Sequence, residues 1–240
     1  MTLQEQELAA VFARLAGTAA RDPLDTQTLL TELVEGGHRL FDAPGATVHY
    51  APGREAGRTE GTDAALRSLA ADAARWREGP GYDVRTTGRA LIDVDVTTAP
   101  MRARWPRWTA RVATLGHGRI TGLPLPAKEG PGGALVLFGA PGSNLDDKAL
   151  ALARSFADAA AHTLALQREV AESRALATQL EHALSSRVVV EQAKGILAAQ
   201  HGLTLEAAFA GLRRYARSHQ RKVADVSRDV IAGEDVPVEW

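Results

Sequence analysis

Seven basic side chains stand between positions 187 and 222: Arg187, Lys194, Arg213, Arg214, Arg217, Arg221 and Lys222. Glu191 and Glu206 are the acids of that span, so it carries +5 in a chain whose formal net charge is −1. Guanidinium and ammonium groups at this density neutralise phosphates, and a polyanion is the partner they point to. The residues that follow reverse the sign, with Asp225, Asp229, Glu234, Asp235 and Glu239 against Arg228. Tyr215 and Gln220 lie among the cations. A ring can stack on an unpaired base, and an amide can donate and accept at a base edge.

No second constellation competes for chemistry. The chain has no cysteine, which excludes disulfides, thiolate metal sites and a cysteine nucleophile, and fits a reducing compartment. The seven histidines, at 38, 49, 117, 162, 182, 201 and 219, never take the HxxxH or HExxH spacing that aims two imidazoles at one metal. No phosphate-binding GxxxxGKS/T and no GxSxG is present; GPGG at 130–133 and APGS at 140–143 read as turns beside a strand. Asp93 and Asp95 stand two apart in IDVDV, so they project from one face of a strand, and a solvated face is the reading for them. No catalytic residue, metal or cofactor is assigned, and a protein that is not an enzyme is expected. Tyr82, Trp105, Trp108 and Phe138 are the aromatics available to line a small-molecule pocket, with core packing as the plainer role of each.

The elements that must position these residues follow from pattern. At 240 residues, with 45% hydrophobic and 24% charged side chains, the chain can bury one large core or two modest ones. MTLQEQELAA lacks the basic and apolar regions of a signal peptide, and no stretch reaches eighteen uninterrupted apolar residues. A cytoplasmic protein with no membrane partner is expected. Apolar spacing near 3.6 predicts helices over 3–16, from an Asp25 N-cap to Leu40, and over 63–77. Alternation and β-branching predict strands at 45–51, 90–96, 117–125 and 133–140, with a short further strand within 53–62. EGPGYD (78–83) reads as a break, and 104–116 as a short helix with Pro106 in its first turn. Helices mixed with antiparallel strands, without a strand–helix–strand cadence, predict an α+β fold around one antiparallel sheet.

A long helix is predicted from Asn144 or Asp146 to about Gln200, with no proline and no glycine before Gly195. Leu176, Leu180, Leu184 and Val188 form a stripe on it, which predicts pairing with a second copy as a coiled coil. After Gly202, Thr204 caps a second helix with Leu205, Ala208, Phe209, Leu212 and Tyr215 on its apolar face. The chain turns near Ser218-His219-Gln220 into a third helix, with Val223, Val226, Val230 and Ile231 inward and Gly233 closing it. Val189, Ala193, Ile196 and Leu197 complete that small core, and the cations gather at the corner between the last two helices.

The order EQAKGIL, a glycine turn, EAAFAGLRRYA and a basic pair before VADV resembles the ANTAR domain over roughly residues 176–233. The resemblance implies a three-helix module of bacterial antitermination regulators, which binds paired hairpins in a nascent mRNA leader and disfavours a competing terminator. Its RNA-binding set here is Arg187, Lys194, Arg213, Arg214, Tyr215, Arg217, Gln220, Arg221 and Lys222. Gln220 stands where the family usually has Asn, and Ala216-Arg217 where it often has Ser-Gln. EGPGYD, GRALIDVDV, RWPRWTARVATLG, GLPL and GGALVLFGA resemble in order the blocks of a GAF domain. That resemblance implies a sensor over 1–165, with a small-molecule effector as its possible ligand, a helical linker over 166–186 and the ANTAR domain over 187–235. A phospho-accepting receiver domain is not present in the N-terminal half. Two other classes stay open: a DNA-binding helix-turn-helix regulator, and a ligand-sensing scaffold whose C-terminal module binds protein.

Overall fold

The computed structural model describes residues 9–14, 17, 26–53, 57–127, 131–140, 145–234 and 236. The chain divides into two compact units, Met1–Val170 and Ala171–Trp240. The Asp25 cap and parts of the first predicted helix lie outside the described residues, although 9–14 are helical.

The first unit is built on five strands: β1 (Gly45–Tyr50), β2 (Arg58–Gly61), β3 (Leu91–Asp95), β4 (Arg119–Pro126) and β5 (Pro131–Gly139). They form one sheet in the order β2-β1-β5-β4-β3, and each neighbouring pair is antiparallel. The period-2 pattern sorts the side chains to two faces. Ala46, Val48, Tyr50, Leu123, Leu125, Leu135 and Leu137 join one core with Leu29, Leu30, Leu33 and Val34 of α1 (Thr26–Leu40). The same core takes Phe156, Ala157, Ala160 and Leu164 of α6 (Asp147–His201). Gly36 leaves room for this packing in α1: a Cβ on it would stand 2.7 Å from Val11 Cγ1 and 3.0 Å from Phe156 Cζ.

The opposite face carries Ile120, Val136 and Phe138 against α2 (Ala64–Trp76) and α5 (Pro106–Thr114). Here the structure corrects two expectations. EGPGYD is not a plain break but opens a helix, α3 (Pro80–Thr87), with Gly79 at the N-cap and Pro80 in the first turn. The helix expected over 104–116 is the shorter α5, and an unexpected helix, α4 (Ala99–Arg104), runs up to it and is divided from it at Trp105 (φ −132, ψ 64). Pro106 does open α5, and the Glu78 carboxylate accepts from the Trp108 N–H at 2.8 Å, supplying the missing cap. Asp93 and Asp95 both lie on the Arg119 side of β3, Asp95 as the cross-strand partner of Arg119, although the strand between them is not regular. A register shift falls between Leu91 and Val94, and Asp93 takes φ 49. The Arg119 guanidinium grips the Asp93 carboxylate at 2.5 and 2.6 Å.

Asp146 begins α6, its carboxylate accepting from the Ala149 N–H at 2.6 Å. The second unit adds α7 (Leu205–Ser218) and α8 (Val223–Ala232) to the end of α6. Its core is Ala193, Leu197, Ala208, Leu212, Ala216, Val226 and Val230, with Ile196, Tyr215 and Val223 packed against it. Thr204 caps α7 by accepting from the Ala207 N–H at 3.1 Å. Leu205 and Ile231, expected inward, are 51% and 40% exposed. They sit in the first turn of α7 and the last of α8, beyond the reach of a core this small.

Candidate nucleic-acid interface

The core of the second unit uses one face of α7, and the arginines occupy the other. Buried Ala208, Leu212 and Ala216 recur every four residues, which leaves Ala210, Arg213, Arg214 and Arg217 on the far side. Ala210, Arg213, Arg214, Arg217 and Ser218 line a shallow open groove there. Lys194 reaches this surface from α6: its ammonium lies 5.4 Å from the Phe209 ring centre, and the Arg213 guanidinium lies 5.6 Å from the same ring. Lys194 also pairs with Glu191 at 2.9 Å, one turn earlier. Arg187 is exposed two turns before Lys194, on the same face of α6. Phe209, expected only as core, is thus the aromatic plate between a cation of α6 and one of α7.

The corner after α7 is closed by backbone. The Arg221 N–H donates to the Ala216 carbonyl at 2.8 Å and the Gln220 N–H to the Arg217 carbonyl at 3.2 Å. Gln220 takes φ 53 between them, which makes a Schellman closure with glutamine in the left-handed position. Arg221 then turns back onto α8, its guanidinium 2.6 Å from the Asp229 carboxylate. Lys222 occupies the α8 N-cap without a side-chain cap bond, where Ser, Thr, Asp or Asn is the stabilising choice. A cation there adds to the positive end of the helix dipole and concentrates charge at the corner. Tyr215 stacks on His219, ring centres 4.0 Å apart and planes 23° from parallel. The structure therefore gathers Arg213, Arg214 and Arg217 on one face of α7 with Lys194 of α6 beside them, and brings Gln220, Arg221 and Lys222 together at the turn after Tyr215. Phe209, His219 and Asp229 were not singled out from sequence as parts of this surface. The four-residue spacing of Tyr215 and His219 is the signal that could have found one of them.

In the first unit, three of the four aromatics are interior. Trp105 packs edge-on to Trp108 at 5.6 Å, and Trp108 stacks on Phe138 at 6.3 Å. Trp105 Nε1 donates to Asp83 at 3.0 Å, so the indole is satisfied where it is buried. Tyr82 is half-buried on α3, with the Arg85 guanidinium 5.9 Å from its ring centre. Trp108 and Phe138, with Thr47, His49, Gly81 and Val136 among others, line a cavity of ≈ 20 Å³ between the sheet and the helices. That is room for one water-sized group. Burial, with the Arg85 charge adding to it, pushes the His49 pKa down to about 4 and holds this imidazole neutral. Among the described residues, no group of three or more His, Asp or Glu is placed to hold a metal. No helix among them is long and apolar enough to cross a membrane.

Residues 23–165 match the GAF domain family and residues 178–231 the ANTAR domain. The first unit is similar in fold to the GAF domain of a phosphoenolpyruvate-protein phosphotransferase from Acinetobacter. The two share 10% identity and a TM-score of 0.51 over 71% of this chain and 97% of that one. A segment of a methyl-accepting chemotaxis protein is similar at 15% identity and TM-score 0.50, over 67% and 98% of the two chains. No curated protein matches the chain. GAF and ANTAR domains are sensory and regulatory modules, and the sheet order, the helices on both its faces and the three-helix second unit are what the two matches call for. The chain belongs to the GAF domain family, with an ANTAR domain following the GAF domain in the same polypeptide.

Proposed function

We propose that this protein is an RNA-binding transcription antiterminator, in which the ANTAR module grips paired hairpins of a nascent leader and the GAF domain carries an input signal. The observation that carries the reading is the division of α7 into two faces. One closes a core of small and aliphatic side chains, and the other presents Arg213, Arg214 and Arg217 around Ala210. All three are exposed on α7, Arg213 with its guanidinium over the Phe209 ring. Phosphate contact gives them a task, and the corner at Gln220–Lys222 offers polar groups beside them. Two modules held together match two hairpins, and exposed Leu176, Leu180, Leu184 and Val188 on α6 supply an apolar stripe for a second copy.

The test is binding of the full chain to a two-hairpin leader RNA across a series of salt concentrations. Arg213→Ala/Arg217→Ala is expected to weaken binding at least tenfold near physiological salt. It is also expected to flatten log K against log salt by roughly 0.7–0.9 for each phosphate that the variant no longer neutralises. Unchanged affinity would remove the arginine face from the site. Duplex DNA outcompeting the hairpins would replace this reading with a DNA-binding one.

A further inference from the structure

The module's aromatic surface is more specific than its charge. Tyr215, the residue chosen from sequence to stack on a base, is already engaged. It is half-buried against the core of the module, and its ring lies stacked against His219. Phe209 is engaged by Lys194 and Arg213. His219, by contrast, is exposed beyond Tyr215 and sits at the basic corner, two residues after Arg217 and two before Arg221.

Its ring is also held. His219 is the C-cap of α7, with its N–H bonded to the Tyr215 carbonyl at 3.1 Å. Its Nδ1 stands 3.0 Å from both that carbonyl and the Ser218 hydroxyl. A carbonyl partner calls for Nδ1–H as donor. Orientation fixed before binding costs no rotamer entropy when a base arrives.

From this geometry we infer that His219 is the base-stacking platform of the module, taking an unpaired nucleobase of the RNA loop on its outer face and continuing the Tyr215–His219 stack. The inference rests on the RNA-binding reading and deepens it. The cations fix the phosphates, and His219 selects for a base that is flipped out of a helix.

Hairpin RNAs carrying 2-aminopurine at successive loop positions, titrated with the full chain, test it. The wild type is expected to quench the probe at one loop position. His219→Ala should lose that quench and bind about tenfold more weakly. Its salt slope should stay the same, because the cations that meet phosphate are all still in place. His219→Phe should restore both quench and affinity, since it keeps a ring at the same place. Two outcomes overturn the platform: His219→Ala keeping quench and affinity, or His219→Phe behaving like the alanine variant while melting like the wild type. Absence of any RNA binding by the wild type is a different failure. It removes the antiterminator reading, and the platform with it.

Discussion

Gln220 adopts φ 53, a backbone conformation that costs an L-residue roughly 1–2 kcal/mol and glycine almost nothing. The asparagine that the ANTAR resemblance leads one to expect here is, after glycine, the residue that tolerates it best. A side chain kept at this position against the backbone preference points to use of the side chain itself. Gln220→Gly keeps the turn and removes the amide. It is expected to stabilise the module by about 0.5–1 kcal/mol, read in chemical denaturation, while RNA affinity falls severalfold. Affinity unchanged beside the gain in stability would reduce Gln220 to a helix stop. The cations of this corner were legible in the sequence because charge density needs no three-dimensional information. Their engagements were not: Arg221 reaches Asp229 across a turn, and Lys194 meets Phe209 from another helix. His219 was passed over because a lone histidine is ordinary, and only its ring contact with Tyr215 makes it part of a surface.

At the scale of elements, strands were readable wherever one face was buried. β5 alternates between the two cores residue by residue, β1 sends Ala46, Val48 and Tyr50 into one of them with polar residues between, and that alternation is the signal. α3 was not readable, because Gly-Pro-Gly has the composition of a turn. What the composition hides is that Pro is well placed in a first helical turn and that Gly79 does two jobs at once. It takes φ 101, and a Cβ there would stand 2.6 Å from Trp108 Cδ1 and 2.9 Å from its Cγ. Gly79→Ala is therefore strained in its backbone and clashes with a fully buried indole. A loss of about 3 kcal/mol is expected from the two costs together, measured as a lower urea midpoint of the first unit's transition. A loss under about 0.5 kcal/mol would mean that the entry to α3 can shift freely, and the α3–α5 packing would not be fixed by this contact. α4 was not foreseen either, and it ends where Trp105 is buried and bonded to Asp83.

The whole molecule is threaded by one helix. α6 gives Phe156 and Leu164 to the first core and Ala193 and Leu197 to the last, and residues 171–185 between them are exposed throughout. Leu176, Leu180, Leu184 and Val188 are 57%, 56%, 67% and 55% exposed along that stretch. A helix gains little from large apolar side chains left in water, since most helical stability in proteins comes from packing an apolar face. In the reading proposed above, a second copy of the same stripe, self-complementary by symmetry, covers it. The stripe was visible in the sequence as a four-residue period, whereas what covers it is information the single chain does not hold. Leu180→Glu/Leu184→Glu is expected to convert a particle of twice 25.5 kDa into one of 25.5 kDa by light scattering, with both folded units keeping their melting transitions. Pairing has a consequence for RNA that charge alone does not. A dimer meeting two hairpins on one strand binds the second at the high effective concentration set by the first, worth roughly 10²–10⁴ in avidity. The wild type should therefore prefer a two-hairpin leader over a single hairpin by about that ratio. The double variant should bind both alike, at the wild type's single-hairpin affinity. A preference that survives in a monomeric variant would assign the second hairpin to a surface of the same protomer.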